Sequence, residues 1–358
     1  MPAATRKSSD AVSIETVVDY TRRVIDEIST LKDRSGEQCS VALPDLQVDT
    51  LSFDPDLSEA VRSNFVVTAQ DATARSRLNS LIVHPGIEGV SPPLPWDVRR
   101  PCHPERVAEV LREAGILASY FNDLDHWHIY DQSTATAVQL MRNPGEYPPW
   151  ETGAPLRPFL HWHYALQGRR LTHCGTLGIN GKGIILAGAG GSGKSATVIA
   201  GLLHGIQSVG DDYVLLDASG EITAYPLFAT LKQDPAGFQR LGLGNRLGRD
   251  LALNWQGKHQ LKISDIADNA VPSKLVIDAL MLPKVKGAGR TEISPVGRAE
   301  AMIALAASSI YQMPGERESG FRFFGEITRR LPCFRLMLGP DPTEVADTIA
   351  KFIEVNVS

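Results

Sequence analysis

The chain is 358 residues long, with 43% hydrophobic and 22% charged residues, the balance of a folded globular protein and not of a disordered or fibrous one. Its 36 basic and 41 acidic side chains leave a net charge of -5, which gives no overall attraction to nucleic acid or anionic lipid. No stretch approaches the roughly 18 apolar residues of a membrane span, and the opening MPAATRKSSDAVSIE lacks an apolar signal core, so a cytoplasmic protein is expected, with neither nucleic acid nor membrane as partner.

Residues 1 to 12 are small and polar and are expected to fray. From Ser13 onward, Ile14, Val17, Val18, Val24, Ile25, Ile28 and Leu31 recur mostly at three- and four-residue steps, predicting an amphipathic helix that ends near Ser35 and Gly36. Short strands are expected between Cys39 and Pro148, at Phe65-Val66-Val67 and at Ser80 to Val83. A helix is expected from Pro104 to Ala114, and a hairpin from His126-Trp127-His128-Ile129-Tyr130 into Thr134 to Met141. The run Asn143-Pro144-Gly145-Glu146-Tyr147-Pro148-Pro149, with Gly153, Pro155 and Pro158 behind it, reads as a linker. Residues 1–150 are therefore taken as an α+β domain offering surface for substrate recognition. Residues 151–358 form a second domain, where aliphatic strands alternate with helices as in an α/β layer. Cys39, Cys102, Cys174 and Cys333 are too scattered for a zinc pattern and too few for a disulfide framework, so reduced thiols are expected.

The second domain carries Gly188-Ala189-Gly190-Gly191-Ser192-Gly193-Lys194-Ser195, which satisfies G-x-x-x-x-G-K-[ST]. Gly183 to Ala187 before it reads as a buried strand, and Lys194 to His204 as a helix. Glycines suit a loop that must wrap a polyphosphate with backbone N–H groups, because a Cβ would block the approach and positive φ angles favour glycine. The helix dipole adds attraction for the anion. Lys194 is placed to reach the β- and γ-phosphates of ATP and the Ser195 hydroxyl to ligate Mg²⁺, with Ala196 next in the first helical turn. Downstream, Gly210-Asp211-Asp212 supplies two adjacent acids before an apolar stretch. In extended chain they point different ways, so one can hold the metal while the other faces an acceptor hydroxyl.

The segment from His173 to Leu216 resembles the catalytic domain of HPr kinase/phosphorylase and the wider group of HPr-kinase-like serine kinases. The resemblance rests on Leu171-Thr172-His173-Cys174-Gly175, the loop from Gly188 to Ser195, and Gly210-Asp211-Asp212. It extends loosely to about residue 355, through Tyr225-Pro226, Leu231-Lys232, a strand at Leu275 to Leu282, a helix at Pro295 to Ser309, an edge strand at Leu331 to Leu336 and a final helix from Pro342 to Ile353. The resemblance implies a phosphate-loop α/β core related to that of phosphoenolpyruvate carboxykinase, and ATP-dependent phosphorylation of a serine hydroxyl. By the same resemblance Asp212 is the base, Asp211 lies nearer Mg²⁺ and His173 is close to both, although spacing alone does not separate the two aspartates. Ala196 stands where the bifunctional enzymes have glutamate, and no E-[IV]-R-G-[LI] signature follows Asp212, so neither phosphorylase activity nor HPr as acceptor is expected. Related kinases lacking that signature act in peptide-modifying pathways such as those of lasso peptides, and others on free serine. A serine-bearing precursor peptide or small protein is the preferred acceptor; a nucleotide-binding regulatory ATPase without acceptor and a free-serine kinase are the alternatives. Oligomeric state is left open.

Other candidates are weaker. His126-Trp127-His128 and His161-Trp162-His163 would each put two imidazoles on one strand face, but packed tryptophans flanked by surface histidines are the preferred reading. Lys232, beside Gln233, is a candidate contact for a transferring phosphoryl group. Arg317, Arg322, Arg329 and Arg330 follow Pro314-Gly315-Glu316 in what reads as a mobile loop able to bring an arginine onto the γ-phosphate. Leu241-Gly242-Leu243-Gly244 reads as a flexible loop facing substrate.

Overall fold

The computed structural model describes residues 14–31, 35–66, 75–96, 104–121, 123–248, 251–313 and 317–356. The chain divides into two compact units. One takes the chain up to Val41 with Leu46–Arg62 and Arg75–Thr152; the other takes Gly153 onward with Ala42–Asp45 and a short piece beginning at Ser63.

The first unit is built on a six-stranded sheet in the order Glu37–Leu43, Leu46–Ser52, Ser76–Val83, Thr136–Leu140, His126–Asp131, Ile116–Phe121. Leu46–Ser52, Ser76–Val83 and Thr136–Leu140 run parallel, while His126–Asp131 is antiparallel to both Thr136–Leu140 and Ile116–Phe121. Alternation along the strands sends Leu51, Leu81, Val83, Trp127, Ile129, Val138 and Leu140 to one face, where they form a core with Val17, Val24 and Ile28 of helix Ile14–Ser29 and with Val107 and Leu111 of helix Pro104–Glu113.

Three local expectations change here. The first helix stops at Ser29 and not near residue 35, because the hydroxyls of Ser29 and Thr30 turn back onto the carbonyls of Asp26 and Glu27 and close the last turn. Phe65 makes only an isolated bridge to Phe228 at the end of an unanticipated helix, Pro55–Asn64, and Val67 lies outside the described residues. That helix had a readable start: the Asp54 carboxylate accepts from Leu57 N–H at 2.9 Å, and Pro55 occupies the first turn, where no N–H is needed. Pro158, read as linker, likewise sits in the first turn of helix Arg157–Ala165.

The second unit is a mixed α/β layer. Its sheet runs Glu292–Pro295, Cys333–Leu338, Leu275–Val285, Thr223–Tyr225, Val214–Asp217, Arg170–Thr172, and Leu275–Val285 also pairs with Lys182–Leu186, which is joined to Gly175–Ile179. Leu275–Val285 is parallel to both Lys182–Leu186 and Cys333–Leu338. Buried on both sides, these strands divide their side chains by the two-residue period. Ile184, Leu186, Met281, Leu336 and Leu338 pack with helices Lys194–Leu203 and Pro342–Asn356 on one face. On the other, Ile185, Ala187, Leu280 and Leu282 meet helices Arg298–Ile310 and Arg317–Arg330. Cys333–Leu338, expected at an edge, is an interior strand; the edge is Glu292–Pro295, so the helix expected from Pro295 begins at Arg298 instead. A proline at an edge strand costs no ladder bond.

Candidate functional site

The strand Lys182–Leu186 delivers the chain into the glycine-rich loop, and helix Lys194–Leu203 receives it. Gly193, at the head of this helix, has φ +104°, and a Cβ there would lie 2.4 Å from Leu338 Cδ1. Gly191 has φ +79°. The tip, Ala189 to Gly191, is exposed, whereas Gly188 and Lys194 are buried and Ser192, Gly193, Ser195 and Ala196 half-buried. Lys194 Nζ donates to the carbonyls of Gly188 at 2.7 Å and Ala189 at 3.3 Å, so the ammonium is stationed inside the curl of the loop. Burial lowers its proton affinity, opposed by the charges of Asp211 and Asp212.

The two aspartates sit on a tight turn. Asp212 has φ +71°, and Tyr213 N–H donates to the Asp211 carbonyl at 3.0 Å just before strand Val214–Asp217. Their carboxylates therefore diverge through a three-residue turn and not through the alternation of an extended chain, at a strain of roughly 1–3 kcal/mol. Asp211 is 1% exposed, and the Ser195 hydroxyl lies near its carboxylate without forming a well-aligned hydrogen bond. Burial first, then the Asp212 charge, raises its proton affinity, while Ser195, Lys194 and His173 ease it in part.

Asp212 is the opposite case. Burial pushes its proton affinity up, but Lys232 Nζ at 2.8 Å from Oδ2 and His173 Nε2 at 3.3 Å from Oδ1 overcome this and leave it well below the usual carboxylate range. Lys232, on strand Thr230–Gln233, suffers burial but is net raised by Asp212. The lysine weighed as a contact for a phosphoryl group is thus the ion partner of an aspartate.

His173 follows strand Arg170–Thr172 and is pinned by the end of helix Arg298–Ile310. Its N–H donates to Ser309 Oγ at 3.0 Å and its carbonyl accepts from Ser308 Oγ at 3.4 Å. Its Nδ1 lies 3.3 Å from Gln312 Nε2, and Gln312 Oε1 accepts from the Tyr213 hydroxyl at 2.7 Å. Sequence reading missed Tyr213, Ser309 and Gln312. Tyr213 stood next to the acidic pair, but no local pattern marks residues more than 130 positions from His173.

Several candidates fall away from this centre. His126 and His128 are fully buried, and His161 and His163, which lie on a helix and not on a strand, are nearly so; none flanks its tryptophan at the surface. His128 Nε2 is 3.5 Å from Glu151 Oε1, and burial with the charges of Arg170 and Arg157 pushes His161 down to about 3. Among the described residues no group of three His, Cys, Asp or Glu side chains is arranged to hold a metal. Arg317 to Arg330 form a helix and not a loop: Arg322 pairs with Glu318, Arg329 with Glu326, and Arg330 donates to the carbonyls of Ala218 and Gly220. Pro314-Gly315-Glu316 lie outside the described residues. Leu243–Leu247 is a short helix with Leu243 fully buried, so the expected flexible glycine loop is a packed turn. Gln233 is buried and donates to Asp234.

A buried carboxylate with no lysine or imidazole donor on it, beside the Ser195 hydroxyl, is the oxygen-ligand chemistry a hard divalent cation takes, so Asp211 and Ser195 suit Mg²⁺. Among the described residues no helix is long and apolar enough to cross a membrane. No family model matches the chain, and no curated protein matches it either. Among solved structures, the HPr(Ser) kinase/phosphatase from Coxiella burnetii aligns with 52% of this chain and 98% of its own, at 10% identity and a TM-score of 0.30. Likeness at that level carries no argument about fold or activity.

Proposed function

We propose that the second unit is an ATP-dependent kinase that phosphorylates a serine hydroxyl on a peptide or small protein, with residues 1–150 contributing acceptor recognition. The observation that carries this reading is a pair of adjacent carboxylates, Asp212 clamped by Lys232 and His173 and the buried Asp211 beside Ser195, next to a glycine-rich loop that holds the Lys194 ammonium in its curl. A pure nucleotide binder has no use for that division. In this reading the amides of Gly188 to Ser195, including Gly190, Gly191, Ser192 and Gly193, wrap the phosphates, and Lys194 adds a point charge. Ser195 and Asp211 hold Mg²⁺, which neutralises phosphate charge when bound. Asp212 accepts a hydrogen bond from the incoming serine hydroxyl and, held as a weak base by Lys232 and His173, takes its proton only as the forming P–O bond makes that hydroxyl strongly acidic; a carboxylate has about four lone-pair directions, so the two existing bonds leave room for it.

The test is transfer of labelled γ-phosphate to serine-containing peptides and to free serine, beside ATP affinity by calorimetry. Asp212→Asn is expected to lower transfer by about 10²-fold or more while ATP affinity stays within about threefold. ATP binding without transfer to any acceptor would instead leave a nucleotide-dependent regulatory module, and transfer to free serine alone a small-molecule kinase.

A further inference from the structure

Behind the two aspartates lies a chain of polar groups whose hydrogen-bond direction is set from one end. Arg157, 8% exposed, donates through Nη1 to the Tyr213 hydroxyl, with its guanidinium carbon 4.7 Å above the ring. A guanidinium has donors only, so the Tyr213 oxygen accepts there and its single proton goes to its other neighbour, Gln312 Oε1, at 2.7 Å. With that oxygen accepting, the Gln312 amide nitrogen faces His173 Nδ1 at 3.3 Å. An amide NH₂ donates and does not accept, so Nδ1 carries the lone pair and the imidazole proton lies on Nε2, which faces Asp212 Oδ1 at 3.3 Å.

We propose that Tyr213 and Gln312, oriented by Arg157, are positioning residues that hold His173 in its Nε2–H form, donating to Asp212. This rests on the kinase reading for its catalytic meaning but not for its geometry. The consequence is a division of labour: His173 shows Asp212 a proton and no lone pair, so of the two side chains only the carboxylate is left to accept a proton from the acceptor hydroxyl. Ser309 and Ser308 fix the backbone of His173 but not its ring; Asp212, an acceptor only, calls for the proton on Nε2, and the Gln312 amide keeps Nδ1 free of a second one.

The experiment is a two-bond ¹H–¹⁵N correlation of histidine rings in the uniformly labelled full-length protein, with the His173 signal assigned by its loss in His173→Gln. Wild type is expected to show a neutral ring protonated at Nε2. In Gln312→Glu the new carboxylate accepts from Nδ1–H while Asp212 still accepts from Nε2–H, so the ring becomes doubly protonated. Gln312→Met, which removes the donor facing Nδ1, is expected to keep Nε2–H and give a partly doubly protonated ring, and covers the case in which the glutamate variant fails to fold. A wild-type ring protonated at Nδ1, or a pattern unchanged in both variants, overturns the proposal. In the kinetic arm both variants are expected to lose roughly 10- to 100-fold in kcat, the range seen when groups that orient a functional imidazole are removed, with KM for MgATP within about twofold. A wild type inactive on every acceptor would defeat the kinase reading, while the ring signals would still decide the tautomer.

Discussion

Asp211 and Asp212 are neighbours in the chain with opposite proton affinities, and the difference comes from donors and not from depth. Asp212 has an ammonium and an imidazole on its oxygens; Asp211 has neither. Asp211 is held above its unfolded value of about 3.9, so the unfolded chain releases this proton more readily and the charged group weakens the fold at neutral pH; stability is regained as pH falls through the raised value. Asp211→Asn is therefore expected to raise the thermal midpoint of the free protein at pH 7.5 while reducing Mg²⁺-dependent ATP affinity at least tenfold, both measurable by melting with and without MgATP. Acidification should weaken Mg²⁺-dependent binding above the ordinary carboxylate range. For Asp212 the sign reverses: its stabilising pair with Lys232 is fully formed above the unfolded value and is lost only as pH drops through the depressed one. Lys232→Met should accordingly destabilise the protein most at pH 7 and progressively less as pH falls below the ordinary carboxylate range, an outcome readable in denaturant titrations at a series of pH values. Cys174, fully buried and raised by burial and then by Asp211, should resist thiol reagents in the folded protein.

At the level of elements, the strand–loop–helix segment depends on close approach. Gly193→Ala puts a Cβ at φ +104° and 2.4 Å from Leu338 Cδ1, so a loss of roughly 1–3 kcal/mol in stability is expected together with loss of ATP binding. Preserved affinity in that variant would mean that the loop does not need this conformation. Helix Arg317–Arg330 makes the contrary expectation: Arg322→Ala, which breaks only an exposed pair with Glu318, should leave transfer within about twofold. The same elements show why parts of the chain were legible. Ile184 and Leu186 against Ile185 and Ala187 announce a strand buried on both faces, and the loop's glycines announce its turn. Helix Pro55–Asn64 escaped notice although Asp54 and Pro55 marked its start, because the apolar period in this short segment is weak. The arginines of 317–330 were mistaken for a loop because their neighbours Pro314 and Gly315 are breakers, whereas Gly320, Phe324 and Ile327 supply a buried helical face.

For the whole molecule, the reading places nucleotide in the unit from Gly153 onward. Saturating MgATP, at about 100 times its Kd, should add about 2.7 kcal/mol of stability to the state that binds it. Hydrogen exchange should slow at residues 188–195 and 211–213 and remain unchanged in strands Leu46–Ser52 and Ser76–Val83. Protection confined to the first unit would refute the assignment. What residue order alone determined is the glycine-rich strand–loop–helix segment and the acidic pair, since a tight turn, positive φ and a lysine at a helix start are demands met within eight consecutive residues. Which aspartate is clamped and which is bare was decided only by the fold, because Lys232, His173 and Gln312 come from a strand, a loop and a helix end spread over some 140 positions. Electrostatics of a buried carboxylate depend on the donors brought to it in space, and no spacing along the chain encodes them.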